Sequence, residues 1–152
     1  MTTVKALTIM GIAVRTTNQN NQAAQDMAAL WTRFVTENIA EKIPHVQSGV
    51  IFSIYTDYEK DFTGPYTAIL GMEVSSLCDV PEGLIARQFP EENFEVFTAK
   101  GKMPDAVVET WQGIWRNDAA LNRKYTYDFE RYSEKSQLES NAEVTIYIAL
   151  EN

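Results

Sequence analysis

The same run of elements is written twice along this chain. Residues 7–16, LTIMGIAVRT, carry β-branched side chains and no capping residue, which predicts a strand. The polar cluster TNQNNQ follows and is suited to cap a helix. Met27, Leu30, Trp31, Phe34 and Val35 then recur at three- and four-residue steps, predicting an amphipathic helix from roughly 20 to 40, with Pro44 beyond its end. GVIFSIYTDYE, 49–59, and PYTAILGMEV, 65–74, read as strands, and the short DFTG break between them suggests a hairpin. Pro81-Glu82-Gly83 is a turn signal. After it the order returns. LIARQF and NFEVFTAKG form one strand interrupted by Pro90, or two short ones. Pro104 suits the first position of a helix, with Asp105 in its first turn. Val107, Val108, Trp111, Ile114 and Trp115 supply the apolar face, and TYDFERYSE and EVTIYIAL are the last two strands.

The doubling extends to residues. LWTRF at 30–34 matches TWQGI at 110–114, which pairs Trp31 with Trp111. IYTDYE at 54–59 matches FERYSE at 129–134, which pairs Tyr55 with Glu130. The reading is therefore α+β: a β-α-β-β repeat, duplicated within one domain over 1–152, with halves of about 1–80 and 84–152. Two similar halves imply a pseudo-twofold axis. Both helices and the central strands would then face a shared cleft, where ligand pockets commonly form.

Charge and composition narrow the function. With 13 basic and 21 acidic residues the formal charge is −8, which repels a phosphate backbone and disfavours direct nucleic-acid binding. The bland account of that acidity is solubility. A single cysteine, Cys78, excludes an internal disulfide and any multi-cysteine metal site. A single histidine, His45, follows Pro44 in a connector and reads as a solvated loop residue. No cofactor or metal is expected. There is no apolar run of about 18 residues and no basic-then-apolar start, so neither a membrane helix nor a secretory signal is expected, and the location implied is cytoplasmic.

The residue that asks for an explanation is Glu130. Alternate side chains on a strand share a face, so Tyr125, Tyr127, Phe129 and Arg131 lie on one side and Thr126, Asp128, Glu130 and Tyr132 on the other. Periodicity alone buries the aromatic face and exposes Glu130. The repeat points elsewhere. Glu130 stands where the first half has Tyr55, which shares its face with Ser53 and Asp57, while Phe52 and Ile54 take the opposite one. One face of each central strand is then greasy. The other is half polar with one large side chain near its middle, as suits a cleft that holds something.

GIAVRTTN, YTDYEKDFTGPYTAILGMEV, FEVFTAKGKMPDAVVETWQGIW, DFERY and EVTIYIAL, in that order and over nearly the whole chain, resemble the GyrI-like, or AraC-type effector-binding, domain family. The resemblance is to stand-alone members, including mobile-cassette proteins that bind cationic drugs. It implies antiparallel pairing and a central cleft in which a buried acid meets lipophilic cations between aromatic rings. By motif that acid falls on Glu130 of DFERY, and the rings on Tyr55, Trp111, Phe97 and Tyr147, with Trp31 and Trp115 as further candidates. Family relatives often carry this domain beside a DNA-binding region; the resemblance covers nearly all of these 152 residues, so the expectation is that this chain is not itself a transcription factor.

The leading expectation is a binder of small lipophilic or cationic molecules. A carboxylate out of water without a partner has its pKa raised, and an entering cation restores its ionisation. Rings facing that cation add roughly 0.5–2 kcal/mol each. A second expectation is a hydrolase with Glu130 as general base, although His45 and Cys78 offer no nucleophile–base pair. A third, suggested by the family name, is a protein partner such as DNA gyrase. Arg131 is expected to pair with Asp57 or Asp128 as an exposed bridge, and Glu73 and Glu143 to be solvated or paired with lysine.

Overall fold

The computed structural model describes residues 1–133, 136 and 141–151. Eight antiparallel strands form one sheet: β1 (Thr2–Val4), β2 (Leu7–Thr16), β3 (Val46–Thr56), β4 (Tyr66–Val74), β5 (Ile85–Phe89), β6 (Glu92–Gly101), β7 (Tyr127–Tyr132) and β8 (Ala142–Ala149). Two long helices, α1 (Gln22–Thr36) and α3 (Asp105–Arg116), are each followed by a single turn, α2 (Ile39–Lys42) and α4 (Asp118–Leu121). The strand order is β1-β6-β8-β7-β3-β4-β2-β5. Exchanging β1–β4 with β5–β8 reverses that order and leaves it the same, as a twofold relation between halves requires.

The central pair of that arrangement is β3 with β7, where Ile54 lies opposite Phe129. These two residues are each other's equivalents in the sequence repeat, so the pseudo-twofold passes beside them. The short strand of each half pairs with the long strand of the other half, with which it is not contiguous: β1 lies on β6, and β5 lies on β2 only as the outermost strand. LIARQF and NFEVFTAKG are thus two strands, and they do not pair with each other. Only residues 90–91 separate β5, at one edge, from β6, next to the opposite edge. So short a link closes only if the sheet rolls toward a barrel. The roll brings Phe89 of β5 against Tyr127 of β7, ring centroids 4.9 Å apart.

The inside of the roll is filled by Ile9, Phe52, Ile54, Ile69, Phe94, Tyr127 and Phe129. The outside is covered by the helices. Leu30 and Phe34 of α1 pack on Met10, Ile12, Leu70 and Met72, and Ile114 of α3 packs against a group containing Val144, Ile146 and Ile148. Strands covered on both faces lose the alternation of a half-exposed sheet, and β2 and β4 are buried almost continuously for that reason. Gly11 and Gly71 face each other across β2 and β4. A Cβ at Gly11 would lie 2.1 Å from the Leu70 carbonyl oxygen, and one at Gly71 would lie 2.4 Å from that of Met10.

Three local expectations are corrected. The helix read over roughly 20–40 is two, because Asn38 takes a left-handed conformation, φ 52°, between α1 and α2. TNQNNQ makes no side-chain cap; Asn20 and Asn21 are left-handed, and Asn18 instead donates to the Phe62 carbonyl (2.9 Å) and accepts from the Tyr66 hydroxyl (2.7 Å). Pro104 is the cap residue before α3, and Asp105 is its first helical residue. Glu134, at the end of the strand read as TYDFERYSE, lies outside the described residues.

Candidate functional site

The two long helices do not meet over the centre of the sheet. Between them, above β3 and β7, lies a cavity of about 450 Å³, within the size range of small-molecule sites. Trp31 of α1, Trp111 and Trp115 of α3, Tyr55 of β3 and Glu130 of β7 all line it. Five of the seven residues singled out from the sequence are thus brought together. The alternation that exposes Glu130 on paper is overruled by tertiary structure: the helix-facing side of β7 is covered, and Glu130 is 3% exposed.

The other two stand apart. Phe97 lies on the same side of the sheet, opposite Ile146 on β8, and packs in the core beneath α3 rather than in the cavity wall. Tyr147, expected in the cleft, lies opposite Phe129 on β7 and stacks on its ring, centroids 4.4 Å apart, on the inside of the roll. Its alternation away from Ile146 and Ile148 is real; the face it turns to is a second core.

Glu130 is held at both oxygens. The Trp111 indole Nε1 donates to Oε2 at 2.6 Å, and the Tyr132 hydroxyl donates to Oε1 at 2.5 Å. Ser53, directly across on β3, is fully buried and donates to the Tyr55 hydroxyl at 3.0 Å. None of the ion pairs among the described residues involves Glu130. Burial raises its pKa above the ordinary carboxylate value, and the hydrogen bonds from Tyr132, Trp111 and Tyr55 offset part of that rise. The neighbouring phenols respond in turn. Burial, and then the Glu130 charge, push the Tyr55 and Tyr132 hydroxyls well above their ordinary range.

The rings meet largely edge to face. Tyr55 stands at 89° to Trp111 with centroids 5.6 Å apart, and Trp31 at 74° to Tyr132 with centroids 4.9 Å apart. The segment between β3 and β4 contributes to the cavity wall through Tyr58 and Phe62. There Phe62 stacks on Trp115 at 5.9 Å, and the Asn18 and Gln19 side chains donate to the Phe62 and Thr63 carbonyls. Tyr58, Phe62, Tyr66 and Tyr132 were not singled out from the sequence. Tyr132 had a signal, two residues from Glu130 on the same face; Tyr58 and Phe62 sit in a connector with none.

A second buried acid lies beside the cavity. Asp128 is fully buried and accepts from Arg123 Nη2 (2.8 Å), the Tyr58 hydroxyl (2.5 Å) and the Ala149 amide (2.9 Å). Burial raises its pKa, and the Arg123 charge opposes the rise. Arg123 itself lines the cavity and also reaches Asp118 at 3.3 Å. The expected bridge from Arg131 is therefore corrected twice: Asp128 belongs to Arg123, and Asp57 to Arg87 at 2.7 Å. Glu143 is 3.6 Å from Lys100. His45 is a half-exposed side chain whose Nε2 is 3.5 Å from Asp79. Among the described residues no group of three His, Cys, Asp or Glu is placed to hold a metal ion, and no helix is long and apolar enough to cross a membrane.

A doubled, rolled α+β sheet that holds a buried acid under aromatic rings between two helices is the architecture of an effector-binding domain. Residues 1–150 match the family of integron-associated effector binding proteins, Cass2, and the chain belongs to that family. An integron cassette protein from the mobile metagenome of Vibrio cholerae shares the fold with a TM-score of 0.77 at 28% identity, over 99% of this chain and 94% of the other. The protein SAV2435, solved with tetraphenylphosphonium bound, superposes with a TM-score of 0.82 at 20% identity, over 99% and 92% of the two chains. YobU of Bacillus subtilis, which carries a transcriptional-regulator name, is 28% identical over 145 residues, 92% of this chain and 89% of YobU. The transcriptional regulator BrlR of Pseudomonas aeruginosa is 30% identical over 129 residues, which span 80% of this chain but only 45% of BrlR.

Proposed function

We propose that the cavity binds a small lipophilic cation, with Glu130 as its counter-charge and Tyr55, Trp31, Trp111 and Trp115 as its walls. One observation carries this reading: a carboxylate only 3% exposed, with neutral donors and no ion-pair partner among the described residues, beside a space of about 450 Å³. An uncompensated buried charge is costly, so burial favours the protonated acid while the cavity is empty. A cation restores ionisation and gains attraction that water does not screen. The ring faces add cation–π attraction, and the apolar body of the ligand adds about 25 cal/mol per Å² buried. Membership of an effector-binding family supports the reading. So does the fold shared with SAV2435, a protein solved with such a cation.

The test is a tryptophan-fluorescence titration with tetraphenylphosphonium, using triphenylphosphine oxide as an uncharged comparator. Saturable quenching by the cation is expected, with Glu130→Gln weakening it about tenfold, or about 1.4 kcal/mol. Equal binding of cation and neutral compound, or an unchanged affinity in the variant, would overturn the reading.

A further inference from the structure

Among the described residues, the cavity wall holds two charged side chains, and they are of opposite sign. Of the residues that line it, Glu130 is acidic and Arg123 is basic. Taken alone they would cancel, and a wall of zero net charge has no reason to prefer a cation. What breaks the tie stands behind the wall. Asp128 does not line the cavity, yet it is fully buried and 2.8 Å from Arg123, whose own side chain is 1% exposed. Asp118, a quarter exposed and outside the cavity lining, reaches the same guanidinium at 3.3 Å and adds to its neutralisation. The guanidinium also lies over the Tyr125 ring at 4.3 Å and the Trp111 ring at 6.0 Å. One buried acid-and-ring station is thus already filled by the protein's own cation. The second, at Glu130, is not.

We infer that the Asp128–Arg123 pair sets the charge of the ligand: by neutralising Arg123 from behind the wall, Asp128 leaves one uncompensated carboxylate, and the cavity takes monocations in preference to dications. The inference rests on the cation-binding reading above and adds a specificity rule to it. A first positive charge is met by Glu130. A second finds no further acid among the described wall residues and meets an arginine instead. Asp128 is in this sense a positioning residue, because it acts on the ligand only through Arg123. The sequence argues the same way. Asp128 and Glu130 share a strand face, so both would have counted toward a dianionic site had Arg123 not been folded against one of them.

The matched probes are ethidium, a monocation, and propidium, which carries the same ring system with a second quaternary ammonium. For the unmodified protein ethidium is expected to bind at least tenfold more tightly than propidium. Asp128→Asn frees the charge of Arg123 and is expected to weaken ethidium at least tenfold. Adding Arg123→Met to that variant removes the freed charge and is expected to recover at least fivefold of the loss, which a purely structural role for Asp128 would not allow. If Asp128→Asn does not fold, Arg123→Met alone decides: it leaves Asp128 free to meet a second positive charge, and the ethidium-to-propidium preference should fall at least fivefold. Equal binding of the two dyes, an unaffected Asp128→Asn, a double variant as weak as the single, or an unchanged preference in Arg123→Met would each overturn the inference. A loss of the cation-binding reading itself looks different, since ethidium would then be indifferent to Glu130→Gln.

Discussion

Tyr55 and Glu130 occupy equivalent places in the two halves and reach one cavity from either side of the Ile54–Phe129 pair. The duplication has been used asymmetrically. One copy presents a phenol whose hydroxyl accepts from Ser53, and the other a carboxylate held by Trp111 and Tyr132. The helices remain closer to symmetric, with Trp31 and Trp111 both facing the same space.

Burial of Glu130 has a consequence for stability with a definite sign. Its folded pKa lies above the ordinary 4.5, so the folded state holds the proton more tightly than the unfolded chain does. The favourable protonated state is complete below about pH 4.5, and stability falls as pH rises from there through the raised value. The slope is at most about 1.4 kcal/mol per pH unit for one group. Glu130→Gln removes this loss, while Asp128, which titrates in the same sense, is common to both proteins. Urea unfolding at pH 4, 6 and 8 should show the variant gaining on the parent as pH increases. A constant difference would mean that Glu130 titrates normally.

Trp111→Phe keeps a ring on α3 but removes the donor to Glu130 Oε2. A buried acceptor left without its bond costs about 1–3 kcal/mol. The variant should lose that much stability by denaturant unfolding above pH 7. The loss should shrink toward pH 4, where a protonated carboxyl makes fewer demands. A pH-independent loss would assign Trp111 to packing alone.

Phe62 lines the cavity and stacks on Trp115. Phe62→Ala should weaken binding of tetraphenylphosphonium by about 0.5–1.5 kcal/mol, the usual worth of an aromatic pair beyond its area. Stopped-flow fluorescence should place most of that change in a faster dissociation rate. An unaltered rate would mean that the segment between β3 and β4 does not retain the ligand.

Gly11 and Gly71 are required by close backbone approach within the β2–β4 pair. Alanine at either position should cost about 3 kcal/mol or more through overpacking against a carbonyl that cannot move aside. Gly49, where an added Cβ meets nothing, is the matched control and should be nearly neutral in thermal unfolding.

Much of this molecule was open to reading along the chain. The two long helices announce themselves by the spacing of Trp31 with Phe34 and of Trp111 with Ile114 and Trp115. The central strands do so by their β-branched and aromatic runs, and the repeat that matches Tyr55 to Glu130 locates the twofold. Periodicity and internal similarity are properties of neighbours in sequence, and neighbours are what a chain displays before it folds. Three decisions belong to tertiary structure. Strand pairing puts β5 at one edge and β6 next to the other, and the roll that lets two residues join them gives Tyr147 a core to enter. Placing both helices over one face buries Glu130, which alternation alone leaves in water. Folding Arg123 back onto Asp128, five residues away but across a turn and a strand start, cancels one of two acids that look alike on the strand. Each of these depends on which surfaces meet at a distance. Burial and charge compensation are set by those meetings, and no local pattern of side chains contains them.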